Sequence, residues 1–153
     1  MRKIIFVCAV IFLACQALKL VNAIPWRSDY EAATREAVTK GKPLMVYFQV
    51  KWCGQCRKLE GGALGDWTVK EHAREFICVK LDAEARADLA FRFGVQGYPT
   101  ILFLDPYGKV LNRFEGYGMG AKALLRLKMK NALNRKAGRA ELPEVLFIQD
   151  LFF

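Results

Sequence analysis

"KWCGQCRK", residues 51–58, sets Cys53 and Cys56 three positions apart, with an aromatic residue before them and a basic pair after. Such a pair serves as half of a metal site, as a structural cross-link or as a redox couple. A structural zinc site takes four ligands, and beyond the pair and the leader described below the chain offers only Cys78 and His72. His72 sits in a stretch of mixed polarity and reads as an ordinary surface histidine, so no metal is expected. A disulfide across two intervening residues closes too small a loop to constrain the unfolded chain much, so stability alone does not call for one.

The flanking segments favour the redox reading. "PLMVYFQV", residues 43–50, is an almost unbroken apolar run of strand length after a proline, as expected for a central strand covered on both faces. A helix that begins at Cys53 directly after this strand puts that sulfur at a helix N-terminus. There the unpaired N–H groups and the macrodipole stabilise a thiolate. Cys56 lies one turn along, turned inward, and can displace whatever Cys53 captures. Trp52 and Lys51 border the attacking sulfur; the plainer reading of Trp52 is an aromatic cover over an edge of the core.

Outward from this centre, helix and strand signals alternate. "SDYEAATREAVTKGK" (28–42) predicts a helix with Ser28 and Glu31 as a capping box and Gly41 as its stop. After Cys53 the helix runs to about Leu64, "GGALG" (61–65) interrupts, and Asp66 caps a short helix to about Glu75. "FICVKLD" (76–82) reads as a strand and "EARADLAFRFG" (84–94) as a helix ended by Gly94. "TILFLD" (100–105) and "VLNRFEG" (110–116) read as strands joined by the turn "PYGK". A basic helix follows from about Gly120 to Lys136, with Ala121, Leu124, Leu125, Met129, Ala132 and Leu133 on one stripe. This order predicts one α/β domain, a central mixed β-sheet flanked by helices on both faces.

The ends of the chain read differently. "MRKIIFVCAVIFLACQALKLVNA" (1–23) has a basic start, an apolar run from Ile4 to Ala14, and Val21 and Ala23 at the −3 and −1 positions of a cleavage site. It predicts a signal peptide over 1–23, a domain over 24–140 and an extracytoplasmic protein, periplasmic if bacterial and otherwise secreted or in the secretory pathway; an uncleaved anchor and a lipid-modified Cys15 are the alternatives. Loss of the three basic residues Arg2, Lys3 and Lys19 takes the net charge from +9 to +6. That modest excess, without arginine-rich or aromatic-interleaved patterning, excludes nucleic acid as the leading partner. The basic face of the last helix, with Lys122, Arg126, Lys130 and Arg135, reads as solvated surface or as a docking patch for an acidic partner or anionic lipid. The hydrophobic C-terminal tail "ELPEVLFIQDLFF" (141–153) either folds back on the domain or mediates association.

"WCGQC", "FGVQGYPTILFLD" and "GKVLNRFEGY", in this order, closely resemble the thioredoxin superfamily over about Pro43 to Leu133. A lone C-x-x-C is weak evidence, but one followed about forty residues later by Gly-Tyr-Pro-Thr at the start of a strand is strong. The resemblance implies a thioredoxin-like fold and a redox-active Cys53–Cys56 disulfide, with Cys53 as nucleophile and Cys56 resolving. It also implies a cis Pro99 packed against the pair, a Tyr98 backbone that pairs with an extended protein thiol or disulfide substrate, and no cofactor.

One position departs from that pattern. Thioredoxins commonly carry a buried acid six residues before the first cysteine, and here Tyr47 stands there. A phenol is a poor base at neutral pH. Glu60 lies one helical turn after Cys56, which resembles the C-terminal domain of the bacterial transmembrane thiol–disulfide interchange protein. Glu60 is therefore the candidate proton partner of Cys56, the alternative being a solvated helix residue. The same resemblance leans the function towards a reductase recharged by a membrane electron donor. Gly54 and Gln55, between the cysteines, match neither the Gly-Pro of reductive thioredoxins nor the Gly-His of disulfide isomerases. A disulfide oxidase or isomerase, a peroxidase of similar fold and a non-catalytic binding module are the alternatives. Cys78, inside an apolar strand, reads as an inert small hydrophobe.

Overall fold

The computed structural model describes Val7 and residues 23–143. The predicted signal peptide, Val7 and Ala23 apart, and residues 144–153 of the tail lie outside the described residues. Ten elements follow in order: α1 (Tyr30–Lys40), β1 (Leu44–Gln49), α2 (Gly54–Gly61), a 3₁₀ turn (Ala63–Gly65), α3 (Trp67–Ala73), β2 (Ile77–Asp82), α4 (Ala87–Arg92), β3 (Thr100–Leu104), β4 (Val110–Glu115) and α5 (Ala121–Lys136).

The strands form one mixed sheet in the order β2-β1-β3-β4, with β1 and β2 parallel and the other two pairings antiparallel. β1 is central, and Leu44 through Phe48 are fully buried, which is why its sequence reads as a continuous apolar run. Successive side chains leave a strand on opposite faces. Tyr47 turns to one side, where its hydroxyl meets Glu60 of α2. Phe48 turns to the other, where its ring lies 6.4 Å from Phe93, just past α4, and Phe93 in turn lies 6.0 Å from Tyr30 of α1. Helices therefore cover both faces, as expected. Outside β2, Arg27 forms a single parallel bridge to Val79, its N–H donating to the Cys78 carbonyl and its carbonyl accepting the Lys80 N–H.

The first helix starts differently from expectation. Asp29, not Ser28, is the N-cap, its Oδ1 accepting the Ala32 N–H at 2.8 Å. With Asp29 as the cap, Glu31 is no longer at the capping-box position, and its carboxylate instead meets the Arg86 guanidinium at 2.7 Å. Asp66 does cap α3, accepting the Thr68 and Val69 N–H groups. α2 is shorter than predicted and ends at Gly61, since the glycines of "GGALG" give the chain room to tighten into the 3₁₀ turn. Gly108 takes φ 89° in the β3–β4 turn, where its N–H donates to the Asp105 carbonyl. On α5, Ala121, Leu125, Met129 and Ala132 join the core, while Leu124 and Leu133 are only partly buried against it. Leu127 and Asn131, which the stripe did not include, are buried as well.

Candidate active site

Cys53 is the N-cap of α2. Its Sγ accepts the Cys56 N–H at 3.0 Å and is joined to the Cys56 Sγ in a disulfide. This local geometry follows from the strand β1 ending just before a tight turn, closed by the Cys53 N–H donating to the Val50 carbonyl at 3.1 Å. No acidic residue lies in the first turn of α2, so the positive end of the helix is left for the sulfur. Both cysteines are buried, Cys53 at 6% exposed and Cys56 at 1%. Cys53 is more enclosed than its position in the chain suggested, because its sulfur turns in towards Cys56.

The Tyr98–Pro99 peptide bond is cis, and Pro99 is buried. The Pro99 carbonyl accepts the Gly116 N–H at 2.8 Å, tying this loop to the end of β4. The two halves of the site meet through the residues that precede them. The Trp52 and Tyr98 rings stand edge to face, 6.3 Å apart, which brings the start of α2 beside the proline loop. Trp52 is 69% exposed and so does not serve as core cover. Its indole N–H donates to Glu84 Oε1 at 2.9 Å. Glu84 was not identified from sequence, and nothing in a loop carboxylate two residues after a strand would have marked it.

Glu60 is half-buried and does not behave as a solvated helix residue. Its Oε1 accepts both the Tyr47 hydroxyl, at 3.1 Å, and the Lys80 ammonium, at 2.8 Å. Lys80 also lies 5.7 Å from the centre of the Tyr47 ring. The sheet makes this cluster: Tyr47 and Lys80 are register partners on β1 and β2, and α2 lays Glu60 over them. Burial, with the Glu60 charge and hydrogen bond adding to it, raises the Tyr47 hydroxyl well above its ordinary value, so it stays a donor. The carboxylate missing from the Tyr47 position is thus supplied to the same face from the neighbouring helix. Lys80 was missed, although a single charge inside the otherwise apolar "FICVKL" was a signal that it had a partner.

Cys78 stands apart. It is fully buried, its Sγ donates to the Ala73 carbonyl at 3.4 Å, and burial pushes its thiol up to about 12 against a smaller pull from Arg27 and Lys42. The His72 ring bonds to the Thr68 carbonyl at 2.7 Å. Among the described residues no group of three or more His, Cys, Asp or Glu is placed to hold a metal ion, and no helix is long and apolar enough to cross a membrane.

A family described as thioredoxin-like matches residues 25–106. The chain belongs to the thioredoxin-like family. Over 76 residues it is 38% identical to a protein disulfide-isomerase of Zea mays, a match covering 50% of this chain and 15% of that protein. The solved structure of the oxidoreductase DsbH matches with 25% identity and a TM-score of 0.63, covering 73% of this chain and 85% of that one. A thioredoxin from Thermus thermophilus matches with 23% identity and a TM-score of 0.64, covering 72% of this chain and 88% of that one, and shares the fold. The chain spans less than a third of the length of the curated relatives it matches.

Proposed function

We propose that the protein is an extracytoplasmic thiol–disulfide oxidoreductase that exchanges its Cys53–Cys56 couple with protein substrates. The observation that carries this reading is the Cys53 sulfur at the start of α2, accepting the Cys56 N–H at 3.0 Å. A hydrogen bond from the backbone and the helix dipole both favour the thiolate, the species that attacks. In the reducing direction the Cys53 thiolate attacks one sulfur of a substrate disulfide, and the other sulfur leaves as a thiolate that takes up a proton. Cys56, losing its proton, then attacks the Cys53 sulfur of the mixed disulfide and expels the second substrate thiol. The substrate gains two electrons, the Cys53–Cys56 disulfide forms, and a dithiol donor must reduce it again.

Glu60 would receive the Cys56 proton, held ready by Tyr47 and Lys80. No backbone partner for the Tyr98 N–H is found among the described residues, which suits an incoming extended substrate strand beside Pro99, and Trp52 would border that strand. The lean towards reduction, with a membrane electron donor, rests on Glu60. An isomerase is the second reading, favoured by the names of the curated relatives, several of which are protein disulfide-isomerases. The extracytoplasmic site rests on the pattern of residues 1–23.

Insulin reduction tests the activity. Wild type is expected to turn over, Cys53→Ser to be inactive, and Cys56→Ser to accumulate a mixed disulfide; equal, negligible rates in all three leave a binding module. A reduction potential near about −270 mV supports the reductase and one near about −120 mV an oxidant, with about −180 mV marking an isomerase. Sequencing the N-terminus of the exported protein is expected to find Ile24 first.

A further inference from the structure

The two helical layers of the sheet are unequally charged. β4 runs in the direction of β1, so α5 starts from the same end of the sheet as α2, and its contacts with the 3₁₀ turn and α3 lay all three helices in one layer. Within this layer α2, α3 and α5 carry nine cations and two carboxylates. On the opposite face α1 and α4 carry three of each. A surplus of one sign confined to one face steers that face towards surfaces of the other sign.

The surplus is concentrated where α3 meets α5. Lys122 pairs with Asp66 at 3.5 Å, which turns the row Lys122, Arg126 and Lys130, at four-residue spacing, towards α3. Lys70 stands four residues after Asp66 on α3. Asp66 answers Lys122, but Lys70, Arg126 and Lys130 meet no carboxylate among the described residues, and Arg126 Nε is buried with no hydrogen-bond partner. Two large apolar side chains stand at the head of this seam. Trp67 follows Asp66 directly and is 74% exposed, and Met119, three residues before Lys122, is 96% exposed. Phe91 is as exposed on α4, but there the charges balance.

Beside them the surface opens into a cavity of about 590 Å³ walled mainly by glycine and alanine, which offers few side chains for selecting one protein sequence. A protruding tryptophan and methionine among long basic side chains instead fit the apolar boundary and anionic headgroups of a bilayer. We propose that the outer surface of α3 and α5 is a peripheral docking face for anionic bilayers, on which Lys70, Arg126 and Lys130 meet headgroup phosphates while Trp67 and Met119 enter the interface. α2 belongs to the same layer, so docking carries the Cys53–Cys56 pair close to the membrane.

Co-sedimentation of the exported protein with vesicles tests this, comparing phosphatidylcholine alone with equal parts phosphatidylcholine and phosphatidylglycerol. Binding to the mixed vesicles is expected to be at least about tenfold tighter, and about 1 M salt to abolish that preference by screening. Each cation at an anionic surface is worth a factor of about five, so Arg126→Glu with Lys130→Glu is expected to weaken binding at least about twenty-fivefold. Trp67→Ser is expected to weaken it about tenfold through lost apolar burial. Arg35→Glu with Arg92→Glu, which makes the same change in net charge on the balanced layer, is expected to stay within about twofold of wild type. Thermal melts show which variants fold, and Lys70→Gln with Lys130→Gln, expected to lose at least about tenfold, is the second pair should the reversals not fold. Cys53→Ser is expected to bind as wild type does, so docking and redox chemistry are read separately. No binding, equal binding to both vesicles, binding indifferent to the α3 and α5 variants, or a loss matched by the α1 and α4 pair overturns the proposal. Retention on polyglutamate without binding to vesicles overturns it too, and marks an acidic protein partner instead.

Discussion

The Tyr47 hydroxyl donates to Glu60 Oε1 at 3.1 Å, joining the middle of the central strand to the helix that carries both active cysteines. Lys80 donates to the same oxygen from the next strand. A carboxylate held by two donors is fixed in place rather than mobile at the surface, and on its proposed role as proton acceptor its removal has a defined signature. Glu60→Gln is expected to slow the Cys56-dependent step by about a hundredfold, the low end of general-base contributions, and to remove one limb of its pH profile. Tyr47→Phe and Lys80→Met, each of which strips one donor from the carboxylate and loosens its placement, are expected to slow the same step less than Glu60→Gln does. Stopped-flow resolution of a mixed disulfide between pH 5 and 9 checks this; an unchanged profile in Glu60→Gln removes Glu60 from the mechanism.

Glu84 holds the exposed Trp52 indole beside Tyr98. On the proposed role of Trp52 beside the substrate strand, the hydrogen bond orders that side chain without touching the sulfurs, and Glu84→Ala is expected to raise KM for a peptide disulfide by about two- to tenfold, the worth of one hydrogen bond, with little change in kcat. Glu84→Gln keeps the acceptor and is expected to restore KM. Steady-state kinetics on the two variants separates positioning from a loss of fold.

The buried Cys78 and Tyr47 set an alkaline limit on stability. Both are acids whose folded values lie above their unfolded ones, Cys78 at about 12 against 9.0 and Tyr47 above 10.0. The unfolded chain therefore loses protons that the folded chain keeps, and stability is full below about pH 9 and falls as pH rises, by up to about 1.4 kcal/mol per pH unit for each group. Urea melts from pH 8 to 12 are expected to show this fall, with Cys78→Ala flattening it from pH 9 and Tyr47→Phe only above pH 10. In reduced protein beginning at Ile24, iodoacetamide is expected to modify Cys53 first, and the more deeply buried Cys56 and Cys78 only after denaturation, as read by mass.

The two glycines that close α2 are not equivalent. A Cβ on Gly62 would lie 2.9 Å from the Lys58 carbonyl and 2.9 Å from the Tyr117 hydroxyl, whereas one on Gly61 would meet nothing within 4 Å. Gly62→Ala is expected to cost about 1–3 kcal/mol, the range for a core clash against backbone. Gly61→Ala, in a helix, is expected to gain about 0.5–1 kcal/mol. Thermal melts of the pair decide it: equal effects would mean that the backbone at Gly62 relaxes freely.

The sequence by itself determined the order of strands and helices, the central place of β1 and the position of Cys53 at a helix start. These depend on hydrophobic periodicity and on cap and turn residues acting within a few positions along the chain. Even there, Asp29 rather than Ser28 took the cap, and Glu31 met Arg86 across 55 residues instead of turning back on the helix start. Tertiary structure alone decided that Glu60 would lie over Tyr47 and Lys80, that Glu84 would hold Trp52, and that Asn131 would be buried against Leu142. The physical reason is that each of these is a hydrogen bond between groups brought together by strand order and helix placement. A polar side chain in sequence advertises its need for a partner, but which partner meets it is fixed only when the sheet has formed and the helices have packed on it.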